Sequence, residues 1–246
     1  MEFNTLDISS ETEKKVRSNA LELFKNSPIP NNEILSNLGL FINRRTLSRF
    51  LLMYELYQKC LNVHGVIMEF GVRWGQNLAL FSNLRGMLEP FNYNRKIIGF
   101  DTFAGFPSVS DKDSMKAGDY AVPENYEEYL KQVLDFHESE SPISHIKKYE
   151  LVKGDASVTL KKYLQEHPET IISMAYFDMD IYQPTKECLL LIKDHLTKGS
   201  VIGFDELNYH SWAGETIALK EAWGLDKFKI QRSKFGTLQS YIIYGD

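Results

Sequence analysis

Two short acidic clusters contain the residues of this sequence that are best suited to chemistry. Asp178 and Asp180 are separated by one residue after an apolar run, and Asp205 and Glu206 follow the next apolar run. Carboxylate oxygens are the ligands that Mg²⁺, Mn²⁺ and Ca²⁺ prefer, whereas zinc favours nitrogen and sulfur. Because these acids would repel one another in a shared cleft, they predict a divalent-cation site. The alternative is an acidic network paired with lysine or arginine side chains from elsewhere in the chain.

A second group of residues fits a nucleoside ligand. Asp101 ends another apolar run, and its two carboxylate oxygens could accept hydrogen bonds from both hydroxyls of a ribose. Gly154, Asp155 and Ala156 follow a further run and would lie beside the base. These residues indicate an adenosine that needs no phosphate clamp. Acids at strand ends can also merely cap helices, which is the structural alternative for each one taken singly.

The turn EFGVRWGQN, residues 69–77, would approach the same ligand. It begins with Glu69, and Gly71 and Gly75 permit a tight turn and close contact with a ligand. The turn lacks the G-x-G-x-x-G pattern, which disfavours a dinucleotide site, and it contains no GK[ST], which excludes a P-loop.

The histidines and aromatic residues near the expected site give weaker signals. His210 follows the last of the apolar runs, and His145 lies in a long insertion. Either imidazole could act as a general base near neutral pH, but a solvated surface position is the more common one for a histidine. Tyr209 and Trp212 could wall a substrate pocket or simply pack.

The elements that must position these residues are apolar runs that each end at or beside an acid. Near-continuous apolar strands are typical of a parallel sheet that is covered on both faces. In such an open sheet, ligands bind outside the carboxyl ends of the strands. The runs cover residues 65–71, 96–101, 149–155, 171–178 and 200–206.

Helical segments lie between several of these strands. Residues 76–88, 157–166 and 185–196 have helical character, and Gly199 would stop the last of these helices. The alternation of strand and helix predicts a doubly wound, Rossmann-like α/β sheet. Residues 240–245, together with 228–232, could add two closing strands.

Two further regions flank this sheet. Helices over 9–26 and 44–61 precede the first strand, so residues 1–62 are predicted to form an N-terminal helical cap and 63–246 the main domain. Residues 102–148 are a long excursion with a helix near 124–138. Long loops of this kind are uncommon unless they are functional, so we interpret the excursion as an active-site lid; the alternative is a surface insertion.

Composition limits the partners and the compartment. The chain has 246 residues and a net charge of −5, which argues against a general binder of nucleic acid or of anionic membranes. No apolar run reaches the roughly 18 residues that a spanning helix needs. The N-terminus lacks a signal-peptide core, and Cys60 and Cys188 fit buried free thiols, so a cytoplasmic protein is expected.

Five segments together resemble a known enzyme family. They are EFGVRWGQNLALFSNLRG, IIGFDTFAGFP, ELVKGDASVTL, YFDMDIYQPT and KGSVIGFDELNYHSWAGET. In this order and spacing they resemble class I S-adenosylmethionine-dependent methyltransferases of the macrocin O-methyltransferase type. The likeness is closest to the sugar O-methyltransferase branch, which acts on deoxysugars in natural-product pathways.

The resemblance implies a seven-stranded methyltransferase sheet whose last strand is antiparallel, and it implies a homo-oligomer. It assigns Glu69 and Gly71 to the methionine side of the cofactor, Asp101 to the ribose, and Asp155 and Ala156 to the adenine. The divalent cation, with Mg²⁺ expected, would be held by Asp178, Asp205 and Glu206. The implied cofactor-binding residues are Glu69, Gly71, Gly75, Asn77, Asp101, Thr102, Phe103, Gly154, Asp155, Ala156 and Asp178.

The general base cannot be carried over from relatives. Catechol-type enzymes have a lysine three residues after their first metal-binding aspartate, and this chain has Ile181 there. Asp180 or His210 must therefore serve as the catalytic base, unless the metal alone acidifies the hydroxyl.

The resulting hypothesis is a metal-assisted O-methyltransferase for a sugar hydroxyl, with a deoxysugar nucleotide as acceptor, in natural-product or surface-glycan biosynthesis. Arg44, Arg45 or lysines of the lid would meet the diphosphate of such an acceptor. One alternative is another small hydroxylated or phenolic acceptor, and a second is an inactive methyltransferase-like binding protein. An NAD-dependent oxidoreductase is a third, although its glycine pattern is missing and the Tyr182–Lys186 spacing is interrupted by Pro184.

Overall fold

The apolar runs of the sequence form one seven-stranded sheet. The structure is a computed structural model, and it describes residues 9–245. The strands are β1 (Val66–Phe70), β2 (Ile97–Asp101), β3 (Tyr149–Lys153), β4 (Ile172–Phe177), β5 (Leu196–Phe204), β6 (Gln231–Arg232) and β7 (Ser240–Ile243). All five predicted central strands and both closing strands are therefore present.

Eight α-helices accompany the sheet within the described residues. They are α1 (Glu11–Lys25), α2 (Asn31–Ile34), α3 (Arg44–Cys60), α4 (Gln76–Leu88), α5 (Tyr126–Ser139), α6 (Ala156–Glu166), α7 (Tyr182–Ile192) and α8 (Gly214–Ala222). Short 3₁₀ turns occur at Leu38–Leu40, Lys193–His195 and His210–Trp212.

The strand order is β3-β2-β1-β4-β5-β7-β6. Strands β1 to β5 are parallel to their neighbours, and β7 runs antiparallel to β5. This arrangement confirms the predicted doubly wound methyltransferase fold, including its antiparallel last strand. The carboxyl ends of the five parallel strands meet at one edge of the sheet, which is where the acidic residues were expected.

Helices cover both faces of the sheet. Neighbouring residues of each strand point to opposite faces, so each strand contributes to two cores. In β1, Ile67 packs in one core with Leu52 of α3 and Leu78 of α4. The adjacent Met68 packs in a second core with Leu160 of α6 and Leu189 of α7. Burial on both sides explains why the strands are apolar throughout rather than alternating.

The helix boundaries follow from capping and periodicity. Ser10 forms a capping box with Glu13 at the start of α1. The side-chain oxygen of Asn43 accepts from the backbone N–H groups of Arg45 and Thr46 at the start of α3, at 2.9 and 3.1 Å. The sequence periodicity therefore placed both helices correctly.

One predicted helix end is wrong. Helix α7 begins at Tyr182 and ends at Ile192, and Gly199 lies inside β5 rather than after the helix. Between its pairings with Ile172 and Met174 of β4, β5 advances from Leu196 to Val201 and so contains extra residues. Gly199 has a φ of 91°, so its lack of a side chain permits the irregularity of this strand, not a helix stop.

Helix α8 was not predicted, although its segment contains the apolar spacing of Ile217, Ala218 and Ala222. It packs beside α7, and its Ala218 and Leu219 are buried in the second core. The start of this helix was hard to recognise because its first residue is Gly214 and no Ser, Thr, Asp or Asn side chain caps it.

The N-terminal helices differ in how they pack. Helix α3 buries Leu52, Met53 and Leu56 and belongs to the core of the sheet, whereas α1 buries no residue. Cys60 and Cys188 are both buried free thiols, as expected. Within residues 9–245, no helix combines the length and the apolar character that crossing a bilayer requires.

Candidate active site

A cavity of about 460 Å³ opens at the carboxyl edge of the sheet. The turns that follow β1, β2, β3, β4 and β5 all contribute to its wall, and residues of the 102–148 insertion form another part. The predicted site residues that line it are Gly71, Asn77, Asp101, Thr102, Gly154, Asp155, Ala156, Asp178, Asp180, Asp205 and Glu206. The topology thus brings most of the predicted residues together.

Asp101 holds the turn after β1 in place. Its Oδ2 accepts from the backbone N–H groups of Val72 and Arg73 at 2.7 and 2.8 Å, and its Oδ1 accepts from that of Phe103 at 2.6 Å. A carboxylate has about four acceptor positions in all. One position on Oδ1 is therefore left for a ligand, and a contact of Asp101 with both ribose hydroxyls stays a prediction.

Gly71 allows two strand ends to approach closely. Its φ is 90°, and a Cβ at this position would lie 1.9 Å from the carbonyl oxygen of Asp178. No L-residue with a side chain fits there without movement of the backbone. The close approach places the β1 turn directly against the acids that follow β4.

Glu69 lies beneath the cavity rather than in its wall. Its Oε1 accepts from the side-chain amide of Asn77 at 2.7 Å, and its Oε2 is buried without a hydrogen-bond partner. Burial, opposed by the Asn77 hydrogen bond, raises the pKa of Glu69 to about 8. Asn77 does line the cavity, so the hydrogen bond from its amide connects Glu69 to the cavity wall.

Asp155 combines a place in the cavity with a capping role. Its Oδ1 accepts from the backbone N–H and the hydroxyl of Ser157 at 3.0 and 2.7 Å, which caps the start of α6. Gly154 and Ala156 line the cavity beside it. One carboxylate oxygen of Asp155 is therefore committed to the helix.

The acids that follow β4 and β5 form a cluster. Asp178, Asp205 and Glu206 each offer a carboxylate oxygen, and these oxygens lie within 4.8 Å of one another. Burial raises the pKa of Asp178 and of Glu206 well above the ordinary range, and the nearby charge of Asp205 raises both further. Asp180 joins them, and burial also raises its pKa. Such a concentration of carboxylates is relieved either by protons or by positive charge nearby.

Part of that charge comes from Arg49, which the sequence analysis missed. Its guanidinium donates both to Asp205, with Nη2 3.3 Å from Oδ2, and to the Tyr176 hydroxyl at 2.9 Å. Nη2 also lies 3.5 Å from Oδ2 of Asp178. Although burial would raise the pKa of Asp205, Arg49 holds it below its usual range.

A signal for Arg49 was present in the sequence. It stands three, four and seven residues before Leu52, Met53 and Leu56, so it lies on the apolar face of α3. A charged residue on such a face is rarely buried unless it is paired. The alternative to a metal site, an acidic network paired with basic side chains, is therefore present in part.

The cluster nonetheless fits a divalent cation. All of its ligand atoms are carboxylate oxygens, as Mg²⁺ prefers. Arg49 is paired with Asp205 and Asp178, and the charge of Arg73 acts on Asp180 without an ion pair. Oδ1 of Asp180 and Oε2 of Glu206 are buried without a hydrogen-bond partner. A hard cation would satisfy these oxygens and offset the remaining negative charge.

Other predicted residues lie outside the cavity wall. His210 is exposed, and its Nε2 lies 3.3 Å from the hydroxyl of the adjacent Ser211. His145 is exposed as well. Phe103 and Gly75 are buried and do not line the cavity. Neither histidine lines the cavity in this structure.

The expected contacts for a diphosphate also lie elsewhere. Arg44 and Arg45 are exposed outside the cavity, and Arg45 pairs with Glu13 at 2.9 Å. None of the lysines of the 102–148 insertion lines the cavity, whose two basic residues are Arg49 and Arg73.

An aromatic residue after β5 does reach the cavity, as one alternative predicted. Trp212 lines it, and the indole Nε1 is buried without a hydrogen-bond partner. Tyr209 packs on the Trp212 ring with 5.0 Å between the ring centroids. The indole N–H is thus a donor that a bound ligand can use.

Comparisons with known proteins were made at three levels. A scan of protein-family models and a search of curated proteins each give no match. Among solved structures, that of the O-methyltransferase NovP has a TM-score of 0.62 with 16% identity over 80% of this chain and 79% of that one. Such a likeness shows the fold alone.

Two structures of CalS11 are much more similar. The crystal structure of this calicheamicin methyltransferase has a TM-score of 0.94 with 42% identity over 100% of both chains. The apo structure, of CalS11 as a TDP-rhamnose 3'-O-methyltransferase in calicheamicin biosynthesis, has a TM-score of 0.88 with 41% identity over 98% of both chains. The narrower assignment to the macrocin type stays a prediction. With this identity over its whole length, the chain belongs to the methyltransferase family of CalS11.

Proposed function

We propose that the protein transfers a methyl group from S-adenosylmethionine to a hydroxyl of a sugar nucleotide, assisted by a divalent cation. The observation that carries the proposal is the single cavity in which the Asp101 turn and the acidic cluster of Asp178, Asp180, Asp205 and Glu206 both take part. A donor site and an acceptor site must share one cavity for a methyl group to pass directly between them.

The cofactor would lie along the turns that follow β1, β2 and β3. Gly71 lets the β1 turn lie against the Asp178 carbonyl and lines the cavity, Oδ1 of Asp101 can accept from one ribose hydroxyl, and Ala156 lines the wall expected for the adenine. When bound, S-adenosylmethionine would supply an electrophilic methyl group on a positively charged sulfur, which needs no general acid as it leaves.

Asp178, Asp205 and Glu206 would hold the divalent cation. When bound, the cation would polarise the acceptor hydroxyl and lower its pKa. Arg49 and Tyr176 both donate to Asp205, and these contacts keep that carboxylate oriented toward the cluster. The chain itself therefore arranges the ligand atoms before any cation arrives.

Asp180 is the residue that we assign to accept the proton of the acceptor hydroxyl. Its Oδ1 is buried in the cavity wall and has no hydrogen-bond partner. Burial raises its pKa, and a carboxylate with a raised pKa is a stronger base near neutral pH. The exposed position of His210 leaves Asp180 as the better of the two bases that the sequence suggested.

The 102–148 insertion acts as a lid in this proposal. Phe106, Pro107 and Tyr120 line the cavity and would exclude water from the reacting atoms. The insertion is held to the helices beside the site, because Lys112 pairs with Glu221 of α8 at 2.8 Å. Oδ1 of Asp113 also accepts from the backbone N–H of Tyr182 at 2.7 Å.

The support for the acceptor class comes from the similarity to CalS11 and not from a contact in the cavity. CalS11 is a TDP-rhamnose 3'-O-methyltransferase and is 41% identical to this chain over nearly its full length. We therefore propose a deoxysugar nucleotide as the acceptor. The hydroxyl that is methylated would be the one brought next to Asp180 and the cation ligands.

The test is turnover with S-adenosylmethionine and a panel of TDP-deoxysugars, followed by mass spectrometry. We expect one acceptor to gain a single methyl group, and we expect EDTA to stop the reaction and Mg²⁺ to restore it. Activity that persists at full rate in EDTA would remove the cation from the proposal. If no sugar nucleotide is methylated but a phenolic acceptor is, the acceptor class is wrong.

A matched pair of variants tests the cation ligands. Asp205→Asn should lower turnover roughly 10- to 100-fold or more, because it removes one anionic ligand and the partner of Arg49. Asp226→Asn is the control, since this aspartate is exposed and contacts only its neighbour Lys227 among the ion pairs of the described chain. Equal activity in both variants would contradict a role for Asp205.

A further inference from the structure

Arg73 has a place in the cavity that the proposed mechanism does not use. It lies in the turn after β1 and lines the cavity together with the acids after β4. Its φ is 49°, a left-handed conformation that is uncommon for a residue with a side chain. Backbone strain of this kind persists where the surroundings impose it, and here the Arg73 N–H donates to Asp101 at 2.8 Å.

Two aromatic rings hold the Arg73 side chain. Its guanidinium carbon lies 4.8 Å from the centroid of the Tyr120 ring and 5.6 Å from that of the Trp74 ring. Tyr120 belongs to the lid, and Trp74 is 39% exposed at the mouth of the cavity. Tyr126 in turn donates its hydroxyl to the Trp74 carbonyl at 3.1 Å, which fixes this corner. The guanidinium is therefore oriented before a ligand binds.

Arg73 lacks the close ion pair that other enclosed arginines have, although its charge acts on Asp180 and opposes the rise in the pKa of that carboxyl. Arg49 pairs with Asp205, Arg85 with Glu138, and Arg95 with Glu89 at 2.9 Å. Among residues 9–245, no ion pair joins Arg73 to a carboxylate, and its Nε is buried without a hydrogen-bond partner. A buried donor left without an acceptor is costly, more so on a charged group.

We propose that Arg73 binds an anionic oxygen group of a ligand in this cavity. A planar guanidinium offers parallel N–H groups that match a carboxylate or a phosphate. Two ligands of the proposed function, on which the inference rests, contain such a group. One source is the amino-acid carboxylate of the methyl donor, and the other is the diphosphate of the sugar nucleotide. If the diphosphate is the source, Arg73 does what the sequence assigned to Arg44 and Arg45.

Ligand pairs that differ only in the anionic group distinguish these sources. S-adenosylhomocysteine is compared with 5'-methylthioadenosine, which lacks the amino acid, and TDP is compared with thymidine. Binding of each to the wild-type protein and to Arg73→Gln is measured by calorimetry. Arg44→Gln, at an exposed position outside the cavity, is the matched control.

The expected result is a loss of affinity of about tenfold or more for one anionic ligand in Arg73→Gln, because a hydrogen bond to a charged group is lost. The partner without the anionic group should bind both proteins equally. A selective loss for S-adenosylhomocysteine assigns Arg73 to the cofactor carboxylate, and a selective loss for TDP assigns it to the diphosphate. Arg44→Gln should behave as the wild type.

Other outcomes overturn the proposal. If Arg73→Gln binds all four ligands as tightly as the wild type does, Arg73 is not an anion-binding residue. If the wild type itself binds none of them, the proposed function fails together with the site. Should Arg73→Gln not fold, Arg73→Lys decides, because it keeps the charge but loses the planar fork. Unchanged affinity in that variant counts against the proposal, and a selective loss supports it.

Discussion

Arg49 of α3 and Asp205 at the end of β5 form a largely buried ion pair between residues that lie 156 positions apart in the sequence. The Arg49 side chain is 25% exposed and that of Asp205 is 5% exposed. The pair ties an N-terminal helix to the acidic cluster. Arg49, which also lies 3.5 Å from Asp178, is the only residue of α3 in the cavity wall, so α3 enters the proposed active site through this side chain.

Replacement of Arg49 should destabilise the protein, because it removes positive charge from the acidic cluster. We expect Arg49→Gln to lower the free energy of unfolding by about 3 kcal/mol, because Asp205 keeps its charge in a buried place without its partner. Urea denaturation in EDTA measures this loss. Mg²⁺ should raise the stability of the variant more than that of the wild type, because a cation then replaces the missing arginine.

An exposed arginine serves as the control for Arg49. Arg45 pairs with Glu13 on the surface, and Arg45→Gln should cost less than about 1 kcal/mol. If both substitutions lower the free energy of unfolding equally, the Arg49 pair contributes no more to stability than a surface ion pair. If Mg²⁺ stabilises neither Arg49→Gln nor the wild type, the cluster does not bind the cation.

The assignment of the general base to Asp180 and its assignment to His210 predict opposite effects of substitution. Asp180→Asn should reduce kcat by roughly 10²- to 10⁴-fold, because the acceptor hydroxyl loses the group that takes its proton. His210→Ala should change kcat little, because His210 is exposed outside the cavity. Steady-state kinetics of the two variants decide between them. A large loss in His210→Ala with little change in Asp180→Asn would reverse the assignment.

The buried Glu69 should make stability depend on pH. Burial raises the pKa of Glu69 to about 8 from a usual value of 4.5, so between these values the folded state binds a proton that the unfolded state has released. Stability from this group is thus fully present below about pH 4.5 and is lost as the pH rises through about 8. Glu69→Gln, which keeps a neutral side chain, should flatten this part of the stability curve.

The measurement for Glu69 is the free energy of unfolding at several pH values in EDTA. Glu166→Gln is the control, because this side chain is exposed and should leave the curve unchanged. A wild-type curve that is no steeper than that of Glu69→Gln across this window would show that Glu69 is ionised in the fold.

Gly71 should tolerate no side chain. In Gly71→Ala the Cβ would meet the Asp178 carbonyl, so the β1 turn and the β4 end must separate. We expect S-adenosylhomocysteine binding to be lost and stability to fall by at least the 1–2 kcal/mol or so that a left-handed residue costs. Gly39→Ala is the control, since nothing lies within 4 Å of a Cβ there. Calorimetric binding of Gly71→Ala at wild-type affinity would contradict this view of the turn.

Local patterns in the sequence were sufficient for most of the secondary structure. Helix α4 was predicted over its exact range because its apolar residues repeat with helical spacing after Gly75. The parallel strands were recognisable because both of their faces are buried, which leaves no polar alternation. Errors arose where tertiary contacts compete with local signals, as at Gly199, whose backbone N–H donates to the Tyr244 carbonyl at 2.8 Å and so extends β5 through what resembled a helix end.

The acidic residues were predicted to meet because parallel strands end at one edge of a sheet, whatever the details of packing. What the sequence could not decide is which oxygens remain available. Asp101 accepts hydrogen bonds from three backbone N–H groups, and one oxygen of Asp155 accepts the hydrogen bond that caps a helix. These commitments depend on the conformations of the turns.

The sequence by itself determined the sheet, its parallel core and the edge at which the acidic residues gather, because these follow from patterns of neighbouring side chains. Only the tertiary structure decided which cations face those acids. Arg49 and Arg73 line the cavity, whereas Arg44, Arg45 and the lid lysines do not. The reason is physical: Arg49 meets Asp205 through the packing of α3 on the sheet, a contact between distant parts of the chain that no local spacing encodes.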